Sequence, residues 1–259
     1  MSNPVFNRMR DNRGYATFGP PQGRDALPQT APDLEAMYRQ PSATTVQSGR
    51  MSYDDVIVKT ATIFAALLVG AAAGWAVPGL LLPGLVVGLV LGLVNSFKRN
   101  PSPVLILGYG LFEGMFLGAI SMFLNNAYPG IALQAVVGTL GVFAAVLVLF
   151  RSGKVRATPR LNKIFFVAMM GYLVFGLVNL GIVLFTGHSL RSGALGVVIG
   201  LLAIALASYS LVMDFEFIKA GVEQGAPAKM AWYGGFGLVV TLVWLYVEIL
   251  RLLSIFRSN

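Results

Sequence analysis

The 259-residue chain has no cysteine. That excludes disulfides, thiol catalysis and cysteine-based metal sites. Charge is scarce as well: Asp, Glu, Lys and Arg make up 12% of residues, against about 25% in an ordinary soluble domain. A single water-soluble globule does not fit so little charge. There is one histidine, His188, followed by Ser189 between two apolar runs. A catalytic base needs its nucleophile within hydrogen-bond reach and an orienting partner, and the pattern here reads as an ordinary loop. No paired aspartates stand mid-span as an intramembrane protease would require, so the chain is not read as an enzyme, and no cofactor is expected. Basic residues do not alternate with aromatics in a cluster, which excludes a nucleic-acid interface.

What the chain does have is apolar sequence: 56% hydrophobic residues and a mean hydropathy of +0.73. A membrane-crossing helix needs about 20 predominantly apolar residues. Residues 1–51 differ from the rest. They hold six of the 13 prolines and no apolar run. Such a segment buries too little surface to offset its ordering entropy and reads as a disordered tail, with a Ser/Thr cluster at Ser42, Thr44, Thr45 and Ser48. Without an apolar stretch in residues 1–25 it is not a signal peptide. Residues 52–259 form the second part, with apolar runs near 56–77, 80–97, 103–124, 131–150, 164–186, 193–217 and 231–256. Pro78-Gly79, Lys98 to Pro101, Asn125 to Gly130, Arg151 to Lys163, Gly187 to Arg191 and Gly225 to Pro227 separate them. Pro83 blurs the start of the second run.

The net charge of +8 falls on alternate loops. Arg50, Lys59, Lys98, Arg99, Arg151, Lys154, Arg156, Arg160, Lys163, Lys219 and Lys229 cluster at one end, against Arg191 and Arg257 at the other. Basic loops face the cytoplasm, so seven spans with a cytoplasmic N-terminus are expected. Glycines recur at four-residue spacing: Gly70/Gly74, Gly84/Gly88/Gly92, Gly110/Gly114/Gly118 and Gly196/Gly200. Four residues are about one turn, so these glycines share faces and admit close helix packing. Trp75 and Trp244 are expected to face lipid.

Beyond Asp55 the acids are Glu113, Asp214, Glu216, Glu223 and Glu248. Glu223 reads as a loop residue, and Glu216 is spaced to pair with Lys219. Glu113, Asp214 and Glu248 lie in apolar runs, where an ionised carboxylate is expensive and faces an interior or a water-filled cavity. Asp214 ends a small-residue stripe of Gly200, Ala203, Ala207 and Ser210. Glu248 shares a face with Gly237, Thr241 and Arg251. Two such faces pack closely and bring acids into a shared interior. Close carboxylates cannot easily both ionise and titrate as a unit, and hard oxygen ligands suit Ca²⁺. Asp214 and Glu248 are therefore a candidate transient Ca²⁺ site in a permeation or gating path.

Three segments carry a family resemblance. Phe112-Glu113-Gly114-Met115-Phe116-Leu117-Gly118 resembles the acidic, glycine-rich third helix of the Bax inhibitor-1 (transmembrane Bax inhibitor motif, YccA-like) family. Ser210 to Ile218, around Asp214, resembles that family's sixth-helix ending. Leu245-Tyr246-Val247-Glu248-Ile249-Leu250-Arg251-Leu252-Leu253 resembles its last helix in the bacterial branch, with Glu in place of the usual Asp. The resemblance covers residues 52–259. It implies an all-α integral membrane fold, a seven-helix bundle with the last helix central. It also implies a pH-sensitive Ca²⁺ leak gated by an acidic dyad at Asp214 and Glu248, with Glu113 as a pore-lining acid. The expected surroundings are a lipid bilayer of the plasma or bacterial inner membrane, with cations and protons as the species handled. Two rivals stand beside this reading. One is a non-conducting scaffold that regulates a membrane partner or stress response. The other is a cation- or proton-coupled transporter, which would show inverted repeats with interrupted helices. No half-to-half repeat is evident.

Overall fold

The computed structural model describes residues 49–258, and within them the chain is helical with no strand. The disordered tail expected for residues 1–51 lies, as far as residue 48, outside the described residues. Seven helices are long and apolar enough to cross a membrane. They are α1 (Tyr53–Ala76), α2 (Leu81–Phe97), α3 (Pro103–Ala127), α4 (Ile131–Arg151), α5 (Pro159–Thr186), α6 (Gly193–Glu223) and α7 (Ala231–Ser258). Short 3₁₀ turns, Pro78–Leu80 and Ala228–Met230, precede α2 and α7. The protein is an all-α, seven-helix membrane protein.

Local chemistry sets the helix starts. Ser52 and Asp55 form a reciprocal capping box on α1, with Ser52 Oγ accepting from the Asp55 N–H at 3.1 Å. Thr158 caps α5, accepting from the Leu161 N–H at 3.3 Å. Pro103 and Pro159 open α3 and α5, and Pro83 sits in the first turn of α2. In a first turn the missing proline N–H has no helical partner to lose. Several helices outrun their apolar runs: α5 begins at Pro159 and α6 continues to Glu223. Their polar first and last turns are still helical.

Close packing in the first three helices runs through glycine. A methyl at Gly70 or Gly74 of α1 would strike the Leu111 or Met115 carbonyl of α3. One at Gly114 or Gly118 of α3 would strike the Leu67 or Ala71 carbonyl of α1. On its other side α3 receives α2, where a Cβ at Gly84 would come within 2.6 Å of the Phe116 nitrogen. The three helices are therefore in backbone-to-backbone contact.

Helix α7 is the centre of the bundle. It packs on α1, α3, α4 and α6, and 56% of the residues in its most apolar stretch are buried, against none in that of α5. Leu245, Val239 and Leu250 of α7 are among the most deeply buried side chains. Helix α5 is the most peripheral, with Phe165 its one buried residue.

Residues 49–51, assigned to the tail by composition, are fastened to the bundle. Arg50 forms an isolated bridge with Pro227. The Met51 N–H donates to the Ala226 carbonyl at 2.7 Å and the Ala228 N–H to the Gly49 carbonyl at 2.8 Å. The Met51 side chain is 2% exposed and lies against Gly221 of α6 and Gly234 of α7.

The glycine contacts make a direct prediction. Gly118→Ala should destabilise the protein by about 1–3 kcal/mol, the usual cost of overpacking. Gly171→Ala on α5, with nothing within 4 Å of its Cβ position, should be neutral or slightly stabilising, because alanine is the better helix former. Thermal unfolding of the two variants in the same detergent distinguishes them.

Candidate functional site

The small-residue faces of α6 and α7 meet. Ala203 and Ala207 are fully buried, and Gly200 lies against Leu252 of α7. Where the α6 stripe ends, the Thr241 hydroxyl donates to Asp214 Oδ2 at 2.7 Å and lies 3.3 Å from the Ser210 hydroxyl. Gly237 leaves room for the carboxylate: a Cβ there would stand 3.0 Å from Asp214 Oδ1. Asp214, Ser210, Gly237 and Thr241 thus form one polar contact between two otherwise apolar helices.

Glu248 has a separate environment. Its side chain is 3% exposed and its charge is met by two guanidiniums. Arg191 Nη2 donates to Oε2 at 2.7 Å and to Oε1 at 3.0 Å. Arg251 Nη1 donates to Oε1 at 3.4 Å. The Tyr172 hydroxyl of α5 donates to Oε1 as well, and itself accepts from Arg191 Nη2 at 2.8 Å. The Arg191 guanidinium lies 5.3 Å from the centre of the Tyr172 ring.

Asp214 and Glu248 are therefore not joined. No hydrogen bond links them among the described residues, and each has its own partners. Thr241, the partner of Asp214, precedes Glu248 by seven residues, about two turns or about 10 Å of rise. Early helix formation from Ala231 places Glu248 deep along α7, toward the end opposite the basic loops. In this structure the two acids occupy different levels of the α6–α7 region.

Glu113 lies at a third place. Its Oε2 points at Gly88 of α2, where an added Cβ would come within 2.5 Å. It lines a cleft of about 400 Å³ between α2, α3 and α7, together with Tyr109, Phe236 and Trp244. A larger groove of about 540 Å³ between α1, α3, α4 and α7 is almost wholly apolar and holds no acid. The smaller cleft, which carries a carboxylate, is the better candidate for handling ions. Among the described residues no group of three or more His, Asp or Glu side chains is arranged to hold a metal ion.

Two local expectations are corrected, the first being that Glu223 lies in a loop: it is the last residue of α6. Lys219 pairs with Glu223 at 3.8 Å rather than with Glu216, because α6 continues and puts Glu223 one turn on. Glu216 keeps a buried oxygen, Oε2, with no hydrogen-bond partner. Trp244, expected to face lipid, is half-buried and lines the cleft beside Glu113. As part of the central helix it packs on Tyr172 with ring centres 5.7 Å apart, whereas Trp75 is 43% exposed on the outside. Arg191, read only as a loop charge, is the residue that sequence reasoning missed. Its one signal was isolation, as the single basic residue in the links at its end of the bundle. Tyr172 had no signal beyond being a polar-tipped residue in an apolar run.

Breaking this cluster should cost much more than breaking the Asp214 contact. Glu248→Ala leaves two guanidiniums unpaired in the bundle and should destabilise by about 3–5 kcal/mol. Thr241→Val removes one interhelical hydrogen bond and should cost about 1 kcal/mol. Unfolding midpoints in matched detergent check the order, and equal losses would contradict it.

The family model described as Bax inhibitor 1 like matches residues 3–258. The match extends through the N-terminal segment that the sequence resemblance left out. No curated protein matches the chain.

Proposed function

The chain belongs to the Bax inhibitor 1 like family, and on that premise we propose that it is a pH-sensitive cation leak, with Ca²⁺ the principal ion, gated by its buried carboxylates. The observation that carries this reading is the presence of three carboxylates inside a small apolar bundle. One faces a cleft, one bridges α6 and α7, and one lies on the central helix under two arginines. Packing alone gains nothing from acids at such positions, since apolar side chains of the same volume serve as well or better. Oxygen ligands spaced along a helix interface suit a hard divalent cation that must bind weakly enough to leave.

In this reading Asp214 and Glu248 act as two separate carboxylate sites at different depths, each held by its own partners: Thr241 for Asp214, Arg191 and Arg251 for Glu248. Glu113 adds a carboxyl group to the cleft beside α7. The membrane is the plasma or bacterial inner membrane, with the N-terminus and the basic loops in the cytoplasm. The charge asymmetry of the loops supports this orientation. No catalytic step and no cofactor are assigned.

Purified protein in liposomes should give Ca²⁺ flux that differs between two pH values. Asp214→Asn and Glu248→Gln should each flatten that difference. If no Ca²⁺ moves at any pH, the leak reading fails and a non-conducting scaffold takes its place. If both variants keep the native pH response, conduction stands but the assignment of the acids does not.

A further inference from the structure

The two arginines on Glu248 are not equivalent. Arg251 follows Glu248 by three residues on α7 and is fixed there by the helix. Arg191 comes from the six-residue link between α5 and α6, residues 187–192. Gly187 and Gly193, with φ of 72° and 58°, bracket that link in a left-handed conformation that side-chain-bearing residues rarely adopt. Within the cluster Arg191 donates through Nη2 alone, to both Glu248 oxygens and to Tyr172. Its Nε is buried and has no hydrogen-bond partner among the described residues. Arginines that clamp a carboxylate frequently use two nitrogens in parallel. This one covers both oxygens with a single nitrogen, from a segment outside the helices.

We infer that Arg191 is a tethered cation that occupies the cation position of Glu248, so that a permeating ion reaches this carboxylate only when the 187–192 link withdraws. The inference rests on the cation-leak reading. Charge supports it. With Arg191 in place, two guanidiniums face one carboxylate and the cluster carries an excess positive charge, which repels cations. With Arg191 withdrawn, Glu248 and Arg251 balance, and the carboxylate oxygens that Arg191 covered are open to an ion. The charged and titratable groups facing Glu248 are Arg191 from the link, Tyr172 from α5 and Arg251 from α7. Among the described residues no second acid forms an ion pair with either arginine to take up the excess. Arg191 is thus a positioning and selectivity residue, and the side chain that closes the site resembles the ion it excludes in its charge.

Arg191→Gln should raise Ca²⁺ flux from liposomes several-fold at a single pH, while Arg191→Lys, which keeps a tethered cation, should stay near the native rate. In a Glu248→Gln background Arg191→Gln should add nothing, since the two act through one contact. Hydrogen–deuterium exchange supplies a readout independent of conduction. Amides of residues 187–192 should exchange faster in both Arg191→Gln and Glu248→Gln than in the native chain. Native flux that Arg191→Gln leaves unchanged overturns this inference and leaves the leak reading standing. Unchanged exchange in the link overturns the tethering. No flux from any of the proteins overturns the leak reading and this inference with it.

Discussion

A carboxylate on the central helix of a membrane bundle has to be answered by other protein groups, because no bulk water reaches it. Much of the C-terminal half of this protein follows from that demand at Glu248. The α5–α6 link turns inward to deliver Arg191. Tyr172 faces α7 to donate to the same carboxylate, and Trp244 packs on the Tyr172 ring. Helix α5, with one buried residue, has few other ties. The Tyr209 hydroxyl donates to Asn162 at 2.7 Å, and Phe165 packs against the Tyr209 ring. A helix that apolar packing alone would hold weakly is therefore anchored by a polar cluster at one level and a single hydrogen bond at another.

The N-terminal half is held differently. Helices α1, α2 and α3 approach until backbone meets backbone, and glycines without side chains make that possible. Dispersion and shape are the adhesive there, as expected where lipid removes the hydrophobic drive between helices. Interlocking of this kind resists sliding. The α6–α7 contact is built from side chains instead, with Leu211, Phe215, Leu238 and Leu245 packed around the polar contact of Ser210, Thr241 and Asp214. The Glu113 cleft lies where the two constructions meet, with α2 and α3 on one side and α7 on the other.

The sequence carried most of the fold and part of the site. Apolar runs locate the spans, because a bilayer imposes length and composition on every crossing segment. The α6 and α7 stripes were legible because four-residue periodicity places side chains on one face, and Ser210, Thr241, Gly237 and Asp214 do converge. The Glu248 cluster was not legible. Arg191 sits in a link, and a link has no periodicity that says whether its side chains turn outward or inward. Its charge counted toward orientation, where the statistic is indifferent to where a guanidinium ends up. Glu216 and Lys219 were paired by spacing alone, and spacing did not show that α6 would run on to offer Glu223.

The seat of Met51 redraws the border of the folded unit. Its side chain fills a notch cut by two glycines, Gly221 and Gly234, one on each side of the α6–α7 turn, and the two backbone bonds beside it pin the same turn. A chain shortened to the first residue of α1 would keep every helix and still lose a wedge from the joint between the two helices that carry Asp214 and Glu248. A chain that keeps this joint intact therefore has to include Gly49 to Met51, ahead of the first helix.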